Sequence, residues 1–598
     1  MQFDFTKYRI LLTADFETST DKWEVEEARV WLWDICDEKY NHTTGTTLDS
    51  FMEKILSIPL KAVIGFRNLA YDGTYILTWL LKNGYSFTQA EQKNMFPKTF
   101  YCVISSLGQH YAYDIVTPRG VHIIITDTLK YVNMSIKNSA IQYNLPILKG
   151  DIDYDLYRPL GWTPTKEEID YIHNDTEIDM RTVQLNIKEG AVKFTQAGNA
   201  RNEFKKLFSK NDWEMLFPAL SSYEDKYIRK AYIGGFVSYN PKLQGKDIFN
   251  MVSLDINSMY PAQMLHRPMP YGIPETFEGQ YKPNKKFPLY IQTIACCFKV
   301  KPNGIPTIAT RKTYMLNDNA YISDSQGKQW ELILSSPDLE LFFDNYEVLD
   351  IEYRGGFMFQ AMQGREISPE EASKMTVDEI IEEDGKGSYF YEYIKKWRYI
   401  KEHEPSGTPA RDYAKRMQNA LYGALATNPE RKSSIPYLDD NGVLKYNIVN
   451  SSNDGSACYL PAGVFITAWS RYFLIKSITK HIDRFVYCDT DSLYLKGKKP
   501  PKDLAVHKSL YGFFKVEHKI TMFRVLGAKR YIYWGREPNK KQDKFYVVCC
   551  GADEDIKKQL NFTTFKQGAE FYGKKSVHNV KGGKHLFVTS YRLGKKTG

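Results

Sequence analysis

The chain has 598 residues, of which 80 are Lys or Arg and 71 are Asp or Glu, giving a formal net charge of +9. That length is several domains' worth at about 100–200 residues each, and so near a balance implies patches of basic surface for a polyanionic partner rather than a uniformly cationic chain. No run reaches the roughly 18 apolar residues needed to cross a bilayer and residues 1–12 lack an apolar signal core, so neither a membrane-spanning nor a secreted protein is expected.

The eight cysteines include adjacent pairs, Cys296-Cys297 and Cys549-Cys550, that fit neither zinc-site spacing nor a disulfide framework. A reducing, cytosolic compartment is the expectation. The aromatic share of 14%, with 43 Tyr, suits either a surface that stacks bases or an aromatic core.

In chain order, residues 9–14 read as a buried strand that delivers Asp15 and Glu17 at its end. Strands follow at 63–66 and 120–126, with helices at 75–82 and Lys166–Lys188. The second helix opens with a capping-box pattern, Thr165 to Glu168, just after Pro164. Strand alternating with helix predicts an α/β domain over about the first 190 residues. A second apolar run, 250–254, ends in Asp255. From Arg267 to about Gly355 the chain is rich in Pro, Gly and Tyr, as in an inserted sub-domain. An acidic stretch, 369–384, carries no readable role. Helices are expected at 391–401 and from Thr408-Pro409 to just before Asn428. A turn-rich segment, 428–458, contains the hairpin signal Asp439-Asp440-Asn441-Gly442. Residues 485–495 read as a hairpin with Asp489 and Asp491 at its tip, either a solvated turn or a cation site. From Phe571 onward there are seven basic residues (Lys574, Lys575, Lys581, Lys584, Arg592, Lys595, Lys596) and no acid, either a phosphate grip or a solvated end.

Three constellations carry chemistry. Asp15 and Glu17 lie i and i+2 on a strand and so share a face; Asp72 follows Asn68 by four residues, and Tyr171 and Asp175 share a helix face at i, i+4. Four acids with a tyrosine suit two divalent metals that activate a water against a phosphodiester, although each piece alone reads equally as surface charge. Asp255 is followed by a turn and Tyr260. On the helix after Pro409, Arg411, Lys415, Asn419 and Tyr422 fall within roughly 80° of one another, while Ala414, Met417, Leu421 and Leu425 form an apolar stripe. Its basic and aromatic face suits a triphosphate, with Lys415 on phosphate oxygens and Tyr422 against base or sugar, unless it is an ordinary amphipathic helix.

The order of these pieces adds to their meaning. Asp15-x-Glu17, then Asn68-xxx-Asp72, then Tyr171-xxx-Asp175 resembles the three motifs of the DEDDy type of 3′–5′ proofreading exonuclease. Asp255-x-x-Ser258-Met259-Tyr260-Pro261 resembles motif A of family B DNA polymerases. Lys415-xxx-Asn419-Ala420-Leu421-Tyr422-Gly423 resembles motif B, with Ala420 in place of the usual Ser, and Tyr487-Cys488-Asp489-Thr490-Asp491-Ser492 resembles motif C. Lys529-Arg530-Tyr531 resembles the KxY motif that holds the primer terminus, and Tyr232-Ile233-Gly234-Gly235 the YxGG linker that grips template.

The two inserted segments, together with Leu148 to Tyr154, Gly463 to Trp469 and Asn303 to Thr307, extend the resemblance to the protein-primed family B polymerases of the phage phi-29 type over nearly the whole chain. A large N-terminal domain of the cellular-replicase kind has no room.

The resemblance implies a multidomain α/β and α+β fold: an RNase H-like exonuclease domain, 1–195, then a right-hand polymerase. Its parts are palm 196–266 and 459–560, fingers 361–427 and thumb 561–598, with terminal-protein-region insertions at 267–360 and 428–458. It implies metal ligation by Asp255 and Asp491 in one site, with Asp489 more indirect, and by Asp15, Glu17, Asp72 and Asp175 in the other, with two ions per site, Mg²⁺ or Mn²⁺. Thr18, Asn68, Tyr71, Thr128 and Leu129 carry over as ligands of a single-stranded primer end, and Lys149 assists catalysis there. Lys401 carries over as a second triphosphate lysine, at a slightly longer spacing from Lys415. Tyr260 becomes the gate against ribonucleotides. The partners implied are template and primer DNA, dNTPs and a terminal protein, the chain acting as a monomer or a heterodimer with that protein in the host cytoplasm. A nucleic-acid-primed family B polymerase is the alternative.

Overall fold

The computed structural model describes residues 7–19, 27–90, 92–154, 156–309, 321–452 and 459–594. The N-terminal domain is built on an eight-stranded sheet. Its first long strand, Ile10–Thr18, pairs antiparallel with Val30–Asp37 and parallel with Ala62–Phe66, which in turn lies parallel to His122–Asp127. The sheet runs on antiparallel through His110–Val116 and Thr99–Ile104. Its parallel strands are near-continuous apolar runs because both faces are covered: helices Leu48–Leu56 and Leu69–Lys82 bury Phe51, Ile55, Ile76 and Leu80 in one core with Phe16, Ile64 and Phe66. The helix Lys166–Lys188 has the expected bounds, with both halves of its capping box formed.

A seven-stranded sheet organises the second half. Its centre is Ile248–Ile256, flanked by Ser492–Lys496 and Phe514–Gly527, both antiparallel. Phe485–Asp489 and Val237–Tyr239 extend it on one side, and Arg530–Arg536 and Lys544–Cys549 on the other. The long helix Leu460–Lys480 is apolar over most of its surface, as befits a helix that shares one core with helices Tyr391–His403 and Pro409–Leu425 and another with this sheet. The segment expected as the first insertion is a four-stranded sheet of Met269–Phe277, Leu289–Val300, Trp330–Ser335 and Tyr346–Met362, with helix Ser336–Asn345 against it. Part of that segment, 310–320, lies outside the described residues.

The acidic stretch folds into two short helices, Pro369–Ala372 and Val377–Glu383, before the antiparallel pair Tyr391–His403 and Pro409–Leu425. The expected hairpin is Glu430–Leu438 with Leu444–Ser452, turning through Gly442 at φ +72°. It lies against the N-terminal domain, where Ser434 Oγ donates to the Ser105 carbonyl at 3.0 Å and Tyr446 OH lies 3.4 Å from His110 Nε2.

The basic C-terminal segment is no free end. Residues Glu570–Val580 and Gly583–Arg592 form a hairpin whose tip reaches back to the N-terminal domain, with Tyr75 OH donating to the Lys584 carbonyl at 2.7 Å. Asn579 Nδ2 also donates to the Leu444 carbonyl at 2.9 Å, joining the two hairpins. Lys595 and Lys596 lie outside the described residues. Helix Glu554–Gln559 shares a small core with this C-terminal hairpin through Ile556, Phe565 and Tyr591, so that packing unit begins before the expected boundary at 561. Cysteines 36, 102, 296, 297, 488, 549 and 550 are free thiols, and Cys458 is outside the described residues. Among the described residues no helix is long and apolar enough to cross a membrane.

Candidate active sites

The first site is a cleft of about 320 Å³ in the N-terminal domain. Asp15 and Glu17 reach it from the end of their strand, Asp72 from the first turn of helix Leu69–Lys82, and Tyr171 and Asp175 from one face of helix Lys166–Lys188. Thr18, Asn68, Tyr71 and Lys149 complete the wall, with Thr18 Oγ1 and Tyr71 OH 2.8 Å apart. Asn68 adopts left-handed backbone, φ +72°, which turns the strand Ala62–Phe66 sharply into the helix so that Asp72 faces the cleft.

The acids are crowded and poorly compensated. Burial, then the charge of Asp175, pushes the Asp15 carboxyl up to about 7. Burial, then Asp15, holds Glu17 and Asp72 well above the ordinary carboxylate range. Lys149 Nζ donates to Tyr171 OH at 2.6 Å and pairs with Asp175. Asp175 Oδ1 is buried with no hydrogen-bond partner among the described residues. Four crowded acids whose carboxyls stay raised despite the nearby bases, with a carboxylate oxygen left open, fit a divalent metal centre.

Two expected ligands stand elsewhere. Thr128 is fully buried behind the cleft, its hydroxyl donated to Asp179 at 2.9 Å, and Leu129 caps the neighbouring Asp127 through its backbone N–H at 3.0 Å; neither lines the wall. Asp179 in turn pairs with Arg67. The Thr128 hydroxyl thus links the strand end behind the cleft to Asp179. Conversely Tyr154, not singled out from sequence, lines the cleft with its OH 2.5 Å from Tyr171 OH. Its signal was its place five residues after Lys149.

The second site lies on the seven-stranded sheet. Asp255 ends the strand Ile248–Ile256, opposite Ser492 in the ladder, and Ile256 N donates to the Asp491 carbonyl at 2.9 Å. Motif A and the hairpin tip are thus stitched together by the main chain. The tip is the two residues Thr490-Asp491, with Thr490 at φ +59°. Burial, then the charge of Asp255, pushes the Asp491 carboxyl up to about 6. Lys515, across the ladder, places Nζ 2.9 Å from Asp255 Oδ2. A half-buried carboxyl raised further by its neighbour's charge fits a shared cation. Asp489 points to a different partner: Lys529 Nζ sits 3.1 and 3.0 Å from its two oxygens. That pair ties the hairpin to the Lys529–Tyr531 segment, whose Tyr531 is buried in an aromatic cluster, its OH 3.2 Å from Tyr494 OH.

Tyr232 caps helix Ser222–Ala231 and leads into the two glycines. Gly234 has open space where a Cβ would stand, as close approach of a template backbone needs. At Gly235 a Cβ would lie 2.8 Å from the Thr490 side chain, so this glycine is required by the hairpin tip.

Above the acids, helix Pro409–Leu425 buries Ala414, Met417, Leu421 and Leu425, leaving Lys415 and Asn419 exposed. Tyr422 stacks on Tyr260, ring centroids 4.1 Å apart at 26°. Lys401 reaches in from helix Tyr391–His403, Nζ 3.0 Å from Ser258 Oγ. Arg411 departs from its expected place on the triphosphate face: its guanidinium donates to the carbonyls of Lys401 and Glu404 and ties the two helices together.

The family model described as "DNA polymerase type B, organellar and viral" matches residues 155–364 and 379–509. The DNA polymerase of Bacillus phage Nf is 35% identical over 596 residues, covering 96% of this chain and 98% of that protein, and that of Bacillus phage phi29 is 34% identical, covering 98% and 99%. Among solved structures, phi29 DNA polymerase complexed with primer-template DNA superposes with a TM-score of 0.87 at 33% identity, covering 98% of this chain and all of that one. The same polymerase with primer-template DNA and incoming nucleotides gives a TM-score of 0.86. An exonuclease domain followed by a polymerase domain, matched over the whole length at this identity, places the chain among the phi29-type DNA polymerases of family B.

Proposed function

We propose that this polymerase initiates on a hydroxyl of a terminal protein, extends with strand displacement, and proofreads with a separate 3′–5′ exonuclease. The observation that carries the reading is the presence of two separate under-compensated carboxylate clusters, Asp255 with Asp491 and Asp15 with Glu17, Asp72 and Asp175. Each would hold two divalent ions, Mg²⁺ or Mn²⁺, which supply Lewis-acid activation of the attacking oxygen and neutralise charge on the leaving group.

Around the polymerase acids, Lys415 and Lys401 bind triphosphate oxygens, with Asn419 and Tyr422 beside them. Tyr260, its ring held against Tyr422, closes the space a 2′-hydroxyl would need. Lys529 and Tyr531 hold the primer terminus, while Tyr232 and Gly234 follow the template. In the exonuclease cleft, Thr18, Asn68 and Tyr71 receive a frayed 3′ end. Lys149 fixes the Tyr171 hydroxyl and the Asp175 carboxylate, so that Tyr171 can orient the attacking water. Mispaired ends melt more readily, so capture of single strand selects them, and a second hydrolytic test multiplies the discrimination that base pairing alone gives.

The assigned division is exonuclease 1–195, palm 196–266 and 459–560, fingers 361–427, thumb 561–598 and the two insertions. The second insertion joins the exonuclease domain to the thumb hairpin, an arrangement that supports enclosure of DNA and hence processive displacement. A solved structure of phi29 DNA polymerase complexed with single-stranded DNA supports single-stranded DNA as a partner here. Host cytoplasm is the matching compartment.

Protein priming is tested by mixing the enzyme with candidate terminal proteins from the same genome and one labelled dNTP. A covalent protein–nucleotide adduct is expected. Incorporation on DNA primers with no adduct on any candidate would favour a nucleic-acid-primed enzyme.

A further inference from the structure

The acidic stretch 369–384, unreadable from sequence, lies against the helix that carries Lys401. Three of its acids meet three bases of helix Tyr391–His403: Glu382 with Lys395 at 2.6 Å, Asp378 with His403 at 2.9 Å, and Asp384 with Arg398 at 2.6 Å. The first two pairs are exposed and contribute little. The third is buried, both side chains about 95% covered, and Asp384 Oδ1 also lies 2.9 Å from His266 Nε2. A buried ion pair of this kind holds geometry, because breaking it strands a charge away from water.

The chain of contacts continues to the nucleotide pocket. The Arg398 guanidinium lies over the Tyr511 ring at 4.1 Å. Tyr511 OH donates to Gln418 Oε1 at 2.9 Å, beside Asn419, and accepts from Lys401 Nζ at 3.3 Å. Lys401 Nζ is in turn 3.0 Å from Ser258 Oγ, in the turn after Asp255. Residues flanking the segment on both sides are clamped, as Asp384 is through His266, to the helix that begins at this turn, Met259–His266. Gln363 Nε2, Gly364 N and Ser388 Oγ donate to the carbonyls of His266, Leu265 and Met264 at 2.8, 3.0 and 2.7 Å. These are last-turn carbonyls that a helix leaves without partners of its own. The segment therefore joins the helix behind Tyr260 to the helix bearing Lys401.

We infer that the acidic segment braces the incoming-nucleotide pocket, and that Asp384 is a positioning residue which, through Arg398 and Tyr511, sets the Lys401 ammonium against the motif A turn. The inference rests on the reading of Lys401 as a triphosphate ligand, so the experiment separates the two. Steady-state incorporation on a primed template is measured for Asp384→Asn, Tyr511→Phe, Lys401→Ala, and each of the first two combined with Lys401→Ala. Melting temperature and single-strand hydrolysis are followed alongside.

Loss of one charge-assisted contact should raise the KM for dNTP about tenfold in Asp384→Asn, with kcat within about threefold and hydrolysis within about twofold. Tyr511→Phe keeps the ring and the fold, and should raise KM about fivefold. In the Lys401→Ala background either change should add less than about twofold, because the group they position is gone. Equal multiplication of KM in both backgrounds, or parallel loss of both activities with melting temperature, would overturn the brace. An unchanged KM in Lys401→Ala alone would remove the reading of Lys401 and the inference with it.

Discussion

Gly234 and Gly235 stand side by side, yet opposite constraints act on them. A methyl group at Gly235 meets Thr490 at 2.8 Å and must displace the tip that presents Asp491, whereas one at Gly234 meets nothing. Overpacking of this kind costs about 1–3 kcal/mol where neighbours cannot yield. Gly235→Ala should therefore slow incorporation about tenfold even at saturating DNA. Gly234→Ala should instead weaken primer-template binding and leave the saturated rate nearly intact. Gel-shift affinity measured beside single-turnover rate distinguishes the two, and equal behaviour of both variants would sink the distinction.

Tyr260 offers a second single-residue test. Its ring lies flat against Tyr422, so Tyr260→Val opens space at the sugar without touching an acid. The ratio of kcat/KM for dNTP over NTP should fall at least about a hundredfold, the scale of a steric gate lost; an unchanged ratio would remove the gate. Asp255, Asp491, Asp15 and Glu17 were legible because each sits at the end of an apolar strand, where spacing alone sets the face. Tyr511 and Asp384 were not, since their meaning lies in partners 110 and 118 residues away, Lys401 and His266.

Among elements, helix Lys166–Lys188 was legible to the residue because local chemistry, Pro164 and a complete capping box, sets its start. The acidic segment also carries local start signals, a complete capping box on each of its helices of four and seven residues, yet its role was opaque because that lies in tertiary contacts with helix Tyr391–His403. The hairpin of Glu430–Leu438 with Leu444–Ser452 was legible as a turn but not as an interface. Its Tyr446 meets His110, a buried imidazole whose Nδ1 contacts Tyr113 OH. Burial, then the charges of Lys584 and Lys130, pushes His110 down to about 3.

The unfolded chain, with an ordinary histidine near 6.5, binds the proton first as pH falls. Stability contributed by neutral His110 is therefore complete above about 6.5 and is lost progressively toward about 3, in all a few kcal/mol at most. Urea melts of the exonuclease domain in the full chain should show this decline between about pH 6.5 and 5, and His110→Gln should flatten it. A slope identical in the variant would place the titrating group elsewhere.

For the molecule as a whole, two carboxylate clusters sit on two different sheets, and three β-hairpin contacts hold the N-terminal domain, the hairpin of residues 430–452 and the C-terminal hairpin in one closed circuit. Domain order was readable from motif order. The closure was not, because it depends on Ser105 with Ser434, Leu444 with Asn579 and Tyr75 with Lys584, pairs that no local pattern marks. No acid is shared between the clusters, so the proposed division predicts that incorporation and hydrolysis can be removed independently.

The most direct test of that division compares Asp255→Ala with the double variant Asp15→Ala/Glu17→Ala, each assayed for dNTP incorporation and for hydrolysis of single-stranded DNA in Mg²⁺. Asp255→Ala should lose incorporation by about a thousandfold or more and keep hydrolysis, while the double variant does the reverse. Loss of both activities together in either protein, with its melting temperature unchanged, would contradict two independent active sites.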